Sequence, residues 1–230
     1  MPSEMSAAEL QDRDLRVLGP TLGPIYHELS NQVAWLHAKW NQYRKLYAQS
    51  PDRIEALNAV AGHLFGMLQQ MMFENVLLDL GRLTDHPEMG KKSNLTLLRL
   101  PNAIADSTLA AEVQGLVEAA LVACKEARAW RNRRIAHRDL ALAIATAADP
   151  LPDVSRAYVE SALASVRAVL HAIERRHFDS ETAYAYFLAQ GGEADSLVYY
   201  MKAGLRAEEK RLERFRDGTW TQEDVARDGA

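Results

Sequence analysis

The sequence predicts an all-α protein, an antiparallel helical bundle with an appended C-terminal helix, and three features support this fold class. Long stretches consist of Ala, Leu, Glu, Gln, Arg and Met, which are good helix formers. The 12 glycines and 8 prolines are few for 230 residues, and they occur in clusters. No stretch shows the sustained alternation of β-branched residues that is typical of strands. We therefore expect long helices joined by short connections.

Start and stop signals delimit the expected elements. Ser6 and Glu9 have the spacing of a capping box, which predicts a short first helix. Glycines and prolines at positions 19, 20, 23 and 24 are then expected to break the chain. Apolar periodicity and capping signals predict five longer helices, over residues 25–47, 51–84, 107–137, 153–177 and 196–215. A loop with one short helical piece at 95–100 is expected between residues 85 and 105.

These elements suggest three parts of the chain. Residues 1–19 form an N-terminal arm with a short helix, residues 20–178 form the helical bundle, and residues 179–230 form a C-terminal helical extension with a loose tail. The segment from 65 to 80 is apolar around much of its surface, and we expect it to be central to the bundle.

Composition excludes several classes of protein. The formal net charge is −4, which argues against a protein that coats DNA non-specifically. A single cysteine, Cys124, excludes an internal disulfide framework and a cysteine-based zinc site. Residues 1–9 lack the pattern of a secretory signal, and no stretch of about 18 apolar residues occurs. We expect a soluble cytoplasmic protein with no membrane partner.

One segment, residues 129–139, differs from the rest in its charge and chemistry. Five arginines and one lysine stand against two acidic residues between Lys125 and Asp139, a local sum of about +4. Guanidinium groups bind phosphate and stabilise charge that grows in a transition state, and histidine transfers protons near neutral pH. RNA carries its own nucleophile, the 2′-hydroxyl, so such a site needs no metal. The alternative is a solvated basic helix end that complements the helix dipole.

The motif in this segment is Arg131-Asn132 followed by His137, near the end of a long helix in an all-α chain. It resembles the signature of HEPN domains, an arginine and a polar residue with a histidine a few positions later. The sequence of residues 131–139 is similar to that of the HEPN subgroup found in phage abortive-infection proteins of the U type. Residues 77–85 and 94–97 support that resemblance, which covers the chain from about Leu22 to His177.

The resemblance implies a metal-independent endoribonuclease that uses no cofactor and whose cleft forms at a homodimer interface. Arg131 and His137 would be catalytic with Asn132 as their polar support, while Arg133, Arg134 and Arg138 would bind RNA. The resemblance also implies a role in phage defence or as a toxin. The expected partners are RNA, a second copy of the chain, and an antitoxin or a nucleotidyltransferase. The alternative function is a non-catalytic helical module for dimerisation or RNA binding.

The spacing of Arg131 and His137 sets a structural condition for their acting together at one site. On an ideal helix Arg133, not Arg131, lies on the same face as His137. A catalytic Arg131 therefore requires the helix to end or distort before His137, or the two side chains to meet across a dimer.

Other polar residues have two interpretations each. Arg82 and Asp85 either form part of the cleft wall or pair with each other to fix the end of a helix. Asp79 lies on an apolar stretch and is expected to find a buried partner. The aromatic group from Tyr184 to Tyr200 either packs the C-terminal helix or stacks on bases.

Overall fold

The computed structural model describes residues 5–136, 139–144, 150–186 and 193–226. Within these ranges the protein is all-α apart from one two-stranded antiparallel hairpin, which confirms the predicted fold class. His137 and Arg138 of the predicted site lie outside the described residues.

The α-helices, in chain order, are α1 (Ala7–Tyr47), α2 (Pro51–Leu83), α3 (Leu100–Ala103), α4 (Ser107–Ala123), α5 (Lys125–Trp130), α6 (Leu140–Ala143), α7 (Arg156–Phe178), α8 (Ala194–Arg216) and α9 (Gln222–Val225). The hairpin strands are β1 (Glu88–Met89) and β2 (Lys92–Ser93). A 3₁₀ turn (Leu97–Arg99) precedes α3, and a π-helical turn (Arg131–Ile135) follows α5.

The chain divides into two compact units. The first unit contains Met1–Trp40 and Met72–Phe187, and the second contains Asn41–Met71 and Leu188–Ala230. Helices α1 and α2 each contribute residues to both units.

The first unit is a bundle of antiparallel helices. An ion pair of Arg176 with Asp106 joins the C-terminal end of α7 to the start of α4. At the opposite end the hydroxyl of Tyr158, early in α7, bonds to the backbone of Ala127 in α5. Apolar side chains on the facing stripes are buried: Leu29, Val33, Leu36, Trp40, Val76, Leu77, Leu80, Val113, Val117, Val159, Val166, Val169 and Ile173. These stripes confirm the periodicity read from the sequence.

Most of the N-terminal arm is the first part of α1, and one non-helical residue separates it from the rest of that helix. The predicted capping box is present, since the Ser6 backbone N–H donates to Glu9 Oε2 over 2.7 Å. The predicted break is confirmed at Gly19, where the backbone leaves helical geometry (φ 77°, ψ 177°), but it does not extend to Pro24. A positive φ is costly for residues with a Cβ but not for glycine. Pro20 then stands at the start of the next helical segment, where its missing N–H breaks no bond, and helix resumes.

A buried carboxylate ties α1 to α7 and to the segment after it. Glu174 is 2% exposed and accepts hydrogen bonds from Tyr26 Oη at 2.8 Å, Tyr184 Oη at 2.7 Å and the Thr182 backbone N–H at 2.7 Å. Burial raises the pKa of both tyrosines, so both stay protonated as donors. Tyr184 therefore packs inside the bundle, whereas Tyr186 is exposed.

The second unit is held by polar contacts around the start of α8. Lys45 pairs with Glu193 and Asp195, and Arg53 donates to Asp195 over 2.7 Å. Gln42 Oε1 accepts from the Ala194 backbone N–H at 3.0 Å. The bond to Gln42 satisfies a backbone N–H in the first turn of α8 that has no partner within the helix. The ion pairs join the start of α8 to Lys45 and Arg53.

The prediction that residues 65–80 are central to the bundle holds only for the later part of this segment. Val76, Leu77 and Leu80 are fully buried, but Met67 and Met71 are 46% and 65% exposed. The backbone of α2 is also distorted at Ala61 (φ −160°, ψ 62°). Apolar content alone therefore overstated the burial of Met67 and Met71, although Phe65 at the start of the segment is buried.

The single helix predicted over residues 107–137 is also wrong. It is interrupted at Cys124, and the direction of the axis changes by 55° between Ser107–Ala123 and Lys125–Ile135. No single helix in the described ranges meets both the length and the apolarity needed to cross a bilayer; only this bent pair does, with its two parts taken together.

We predict that Glu174→Ala lowers the free energy of unfolding by about 2 kcal/mol or more, because the buried hydroxyls of Tyr26 and Tyr184 lose this acceptor at about 1–3 kcal/mol each. Urea unfolding followed by circular dichroism measures the loss. Glu181→Ala is the control, since this exposed carboxylate makes surface ion pairs and its removal is expected to cost far less. Equal losses in the two variants would contradict a structural role for the buried carboxylate.

Candidate functional site

The bend at Cys124 sets the direction of the helix that carries the motif. Breaking the helix frees backbone N–H groups in the first turn of α5, and Tyr158 Oη accepts from the Ala127 N–H at 2.9 Å. Burial raises the pKa of the Cys124 thiol to about 12, so this cysteine stays protonated and serves as a small apolar side chain.

Arg131 packs directly on helix α2 at a residue that has no side chain. A Cβ built on Gly81 would lie 3.1 Å from Cδ and 3.3 Å from Cβ of Arg131, and 3.7 Å from the carbonyl oxygen of Ala127. Even a methyl group at this position would require the Arg131 side chain to shift. Gly81 therefore allows the close approach of α5 that places the base of the Arg131 side chain.

The guanidinium of Arg131 is held at the end of α2. Its Nη1 donates to Asp85 Oδ1 over 2.6 Å and to Asn132 Oδ1 over 3.0 Å. The Arg131 and Asp85 side chains are 19% and 13% exposed, so this ion pair is largely shielded from water. Both contacts use the same nitrogen, and Nε and Nη2 make no hydrogen bond to a described residue.

A π-helical turn follows, and it meets the structural condition set by the motif. The Ala136 backbone N–H donates to the Arg131 carbonyl over 2.8 Å, five residues back, and the Asp139 N–H donates to the Arg133 carbonyl over 2.9 Å. Single π turns inside helices are frequent at functional sites. Ideal α-helical phase is therefore lost between Arg131 and Ala136, the residue that precedes His137.

The next two arginines also have acidic partners. Arg133 Nε lies 3.6 Å from Asp139 Oδ2, and Arg134 Nε lies 3.1 Å from Glu74 Oε1. The guanidinium of Arg134 also lies over the Trp130 ring, with Cζ 5.3 Å from its centroid. Three separate carboxylates from different parts of the chain thus share the positive charge of this segment, and half of the Arg134 side chain (47%) is exposed.

Of the predicted site residues, the structure places Arg131, Asn132, Arg133 and Arg134 together on the π turn. The alternative interpretation in which Arg82 and Asp85 pair with each other is wrong. Asp85 pairs with Arg131, and Arg82 lies 3.6 Å from Asp79. Sequence reasoning missed Gly81, although a glycine inside the last turn of an apolar helix was the available signal.

Asp79 has a partner, but not the buried one that its position on an apolar stretch predicted, because the Lys39 side chain is 42% exposed. Lys39 Nζ donates to Asp79 Oδ2 over 2.7 Å, which joins α1 to α2. Elsewhere, burial and the neighbouring Arg176 lower the pKa of His177. Across the part of the chain that the structure describes, no three His, Cys, Asp or Glu side chains are grouped closely enough to hold a metal ion.

An all-α bundle with an arginine–asparagine pair at a distorted helix end is the arrangement expected of a HEPN domain. Residues 20–197 match the family model described as AbiU2, a HEPN family. The chain therefore belongs to the AbiU2 family of HEPN domains. Comparison with curated proteins and with solved structures gives no match.

The packing of Arg131 on Gly81 can be tested by comparing the effects of Gly81→Ala and Gly115→Ala on stability. Gly115→Ala in α4 is expected to raise the free energy of unfolding by about 0.5–1 kcal/mol, because alanine has less backbone freedom to lose and the new Cβ meets no atom within 4 Å. Gly81→Ala is expected to show no such gain, because Arg131 must shift to admit the methyl group. Urea unfolding of both variants gives the comparison. An equal gain in both would show that α2 and α5 are not in close contact at this point.

Proposed function

We propose that this chain is a metal-independent endoribonuclease whose site is built on the Arg131–His137 motif. The observation that carries the proposal is the state of Arg131. Its guanidinium is held by Asp85 through one nitrogen, at the π turn that precedes His137 in the sequence. Its Nε and Nη2 make no hydrogen bond to a residue that the structure describes, and we assign these donors to a phosphate. Membership of the AbiU2 family of HEPN domains supports the same assignment.

The proposed reaction is an attack by the RNA on itself. The ribose 2′-oxygen attacks the adjacent phosphorus, the bond from phosphorus to the 5′-oxygen breaks, and a 2′,3′-cyclic phosphate forms. One proton leaves the 2′-hydroxyl and one reaches the 5′-oxygen. His137 transfers a proton, and Arg131 stabilises the additional negative charge on the phosphate oxygens.

Asp85 and Asn132 are positioning residues in this scheme. An arginine free in solvent has many rotamers, and ordering it during the reaction would cost entropy. The carboxylate of Asp85 orders the guanidinium beforehand, in a site that is mostly shielded from water. Asn132 contacts the same nitrogen and limits its rotation.

RNA binding is proposed for the basic residues around this pair. Arg133 and Arg134 lie on the same π turn, and Arg138 follows in the sequence. A phosphate would compete with the carboxylate partners of Arg133 and Arg134. Because the contacts to phosphate are ionic, binding is expected to weaken as salt rises. A second copy of the chain would bring a second motif to the cleft, with an antitoxin or nucleotidyltransferase as restraint, in phage defence or as a toxin.

A second candidate function is a non-catalytic helical module for dimerisation or RNA binding. The ion pair between Arg131 and Asp85 favours it, because a guanidinium held in this way also fixes the packing of α5 on the end of α2. The two candidates differ in whether replacing Arg131 removes an RNA-cleaving activity.

Cleavage of mixed single-stranded RNA in the presence of EDTA tests the proposal. We expect Arg131→Ala and His137→Ala to lower the cleavage rate by about a hundredfold or more, the usual contribution of a charge-stabilising or proton-transferring group. Both variants are expected to keep the circular dichroism spectrum of the wild type. Arg175→Ala and His63→Ala are the matched controls, since both are exposed residues remote in sequence from the motif, and they are expected to cleave normally.

Three results would contradict the proposal. One is a pure, folded protein that binds RNA and never cuts it, which is the behaviour of the non-catalytic module. Another is a rate that disappears in EDTA and returns with a divalent cation. The third is cleavage that survives both substitutions, because the activity would then lie elsewhere or in a contaminant.

A further inference from the structure

A cleft of about 450 Å³ lies between α1 and the C-terminal part of α2, inside the first unit. Its volume is within the range of small-molecule sites, which is about 300–1,000 Å³. The residues that matter for its chemistry are Asn31, Gln32, Trp35, Lys39, Asp79 and Arg82. None of them belongs to the Arg131–His137 motif.

Trp35 is the unusual residue of this cleft. It is 66% exposed, although its helical neighbours Val33 and Leu36 are fully buried in the bundle core. An indole ring presents a large apolar face, and most tryptophans are highly buried for that reason. Its position in the wall of a cleft leaves that face open to a flat ligand.

Two cations lie in the same cleft and share one carboxylate. Lys39 Nζ is 2.7 Å from one oxygen of Asp79, and Arg82 Nη1 is 3.6 Å from the other. The side chains of Lys39 and Arg82 are 42% and 62% exposed. The lining carries two cations, Lys39 and Arg82, and two carboxylates, Asp79 and Glu28, so its formal charges balance. Asp79 contacts both cations, and a phosphate that binds them would compete with it.

We propose that this cleft binds an unpaired base of single-stranded RNA. The base stacks on Trp35, and a flanking phosphate contacts Arg82 and Lys39. The carboxamide of Gln32 provides both a donor and an acceptor for a base edge. This inference deepens the proposed function, because it assigns a substrate subsite to the same nuclease.

The position of the cleft fits a subsite of the proposed active site. Arg82 follows Gly81, the residue on which Arg131 packs, and it precedes Asp85 by three residues. The Asp85 backbone N–H donates to the Arg82 carbonyl over 3.2 Å in the turn that ends α2, so the backbones of these two residues are adjacent. One strand of RNA following the end of α2 would therefore meet Trp35 and Arg131 in succession.

The lining also favours RNA over a protein partner. The centres of protein interfaces are depleted of Lys, Asp and Glu, whereas Lys39, Asp79 and Glu28 all line this cleft. Single-stranded nucleic acid sites combine cations with an aromatic surface, and this cleft has both.

Binding of a single-stranded 2′-O-methyl RNA of mixed sequence tests the subsite without cleavage, because the nucleophilic hydroxyl is blocked. We expect Trp35→Ala to raise the Kd about tenfold, within the range measured for loss of one stacked base. Trp35→Phe keeps a ring and is expected to retain most of the affinity. RNA is also expected to quench wild-type tryptophan fluorescence, and this quenching is expected to be lost in Trp35→Phe. Trp220→Ala is the control, because Trp220 is also exposed (52%) but lies outside the cleft, and it is expected to bind normally.

The possible outcomes separate this inference from the nuclease proposal. Binding that depends on Trp35 in a protein that never cuts RNA would support the subsite and contradict the nuclease. Cleavage and binding that are unchanged in Trp35→Ala would overturn the subsite and leave the nuclease in place. A Trp35→Ala variant that turns a dimer into a monomer, with RNA affinity per protomer unchanged, would also overturn the subsite and assign Trp35 to an interface between copies.

Discussion

The contact of Arg131 with the end of helix α2 is the interaction on which the candidate site depends. Gly81 removes the side chain that would otherwise keep α5 away, and Asp85 supplies the carboxylate that receives the guanidinium. Each half of this arrangement requires the other. Without the close approach the carboxylate is out of reach, and without the carboxylate a cation would lie partly buried and unpaired, which is costly.

The rest of the first unit keeps these two helices in register. The bend at Cys124 directs α5 toward α2, and Tyr158 on α7 accepts the hydrogen bond from the N–H of Ala127 in the first turn after the bend. Glu174 and the tyrosines bonded to it join α7 to α1. Lys39 and Asp79 join α1 to α2 close to Gly81. Polar contacts at both ends of the bundle therefore position the helices that hold Arg131.

Helix content and most helix starts could be predicted from the sequence, because periodicity and caps are local signals. Ser6 with Glu9 and the start of α2 at Pro51 are examples. The bend at Cys124 could not be predicted, because no glycine or proline marks it and its freed backbone groups are satisfied by a residue about 30 positions away. The π turn itself was not predicted. The spacing of Arg131 and His137 indicated only that a catalytic Arg131 requires the helix to end or distort before His137, or the two side chains to meet across a dimer.

In the candidate site, too, the sequence predicted the residues of a local motif but not the partners that tertiary packing brings to it. The motif residues Arg131 to Arg134 were identified from composition and spacing, and the structure places them on one turn. The partners Asp85, Glu74 and Asp139 depend on tertiary packing, so the sequence alone did not assign them. Trp35 escaped notice because it lies on a helix whose neighbouring positions form the core, and its exposure is visible only in three dimensions.

A double-mutant cycle of Asp85→Asn and Arg131→Ala, read as the rate of RNA cleavage, tests the central claim most directly. If Asp85 acts by holding Arg131, each single substitution lowers the rate, and Asp85→Asn has almost no further effect once Arg131 is alanine. Two independent effects that multiply in the double variant would contradict this account, because Asp85 would then act on the reaction without Arg131.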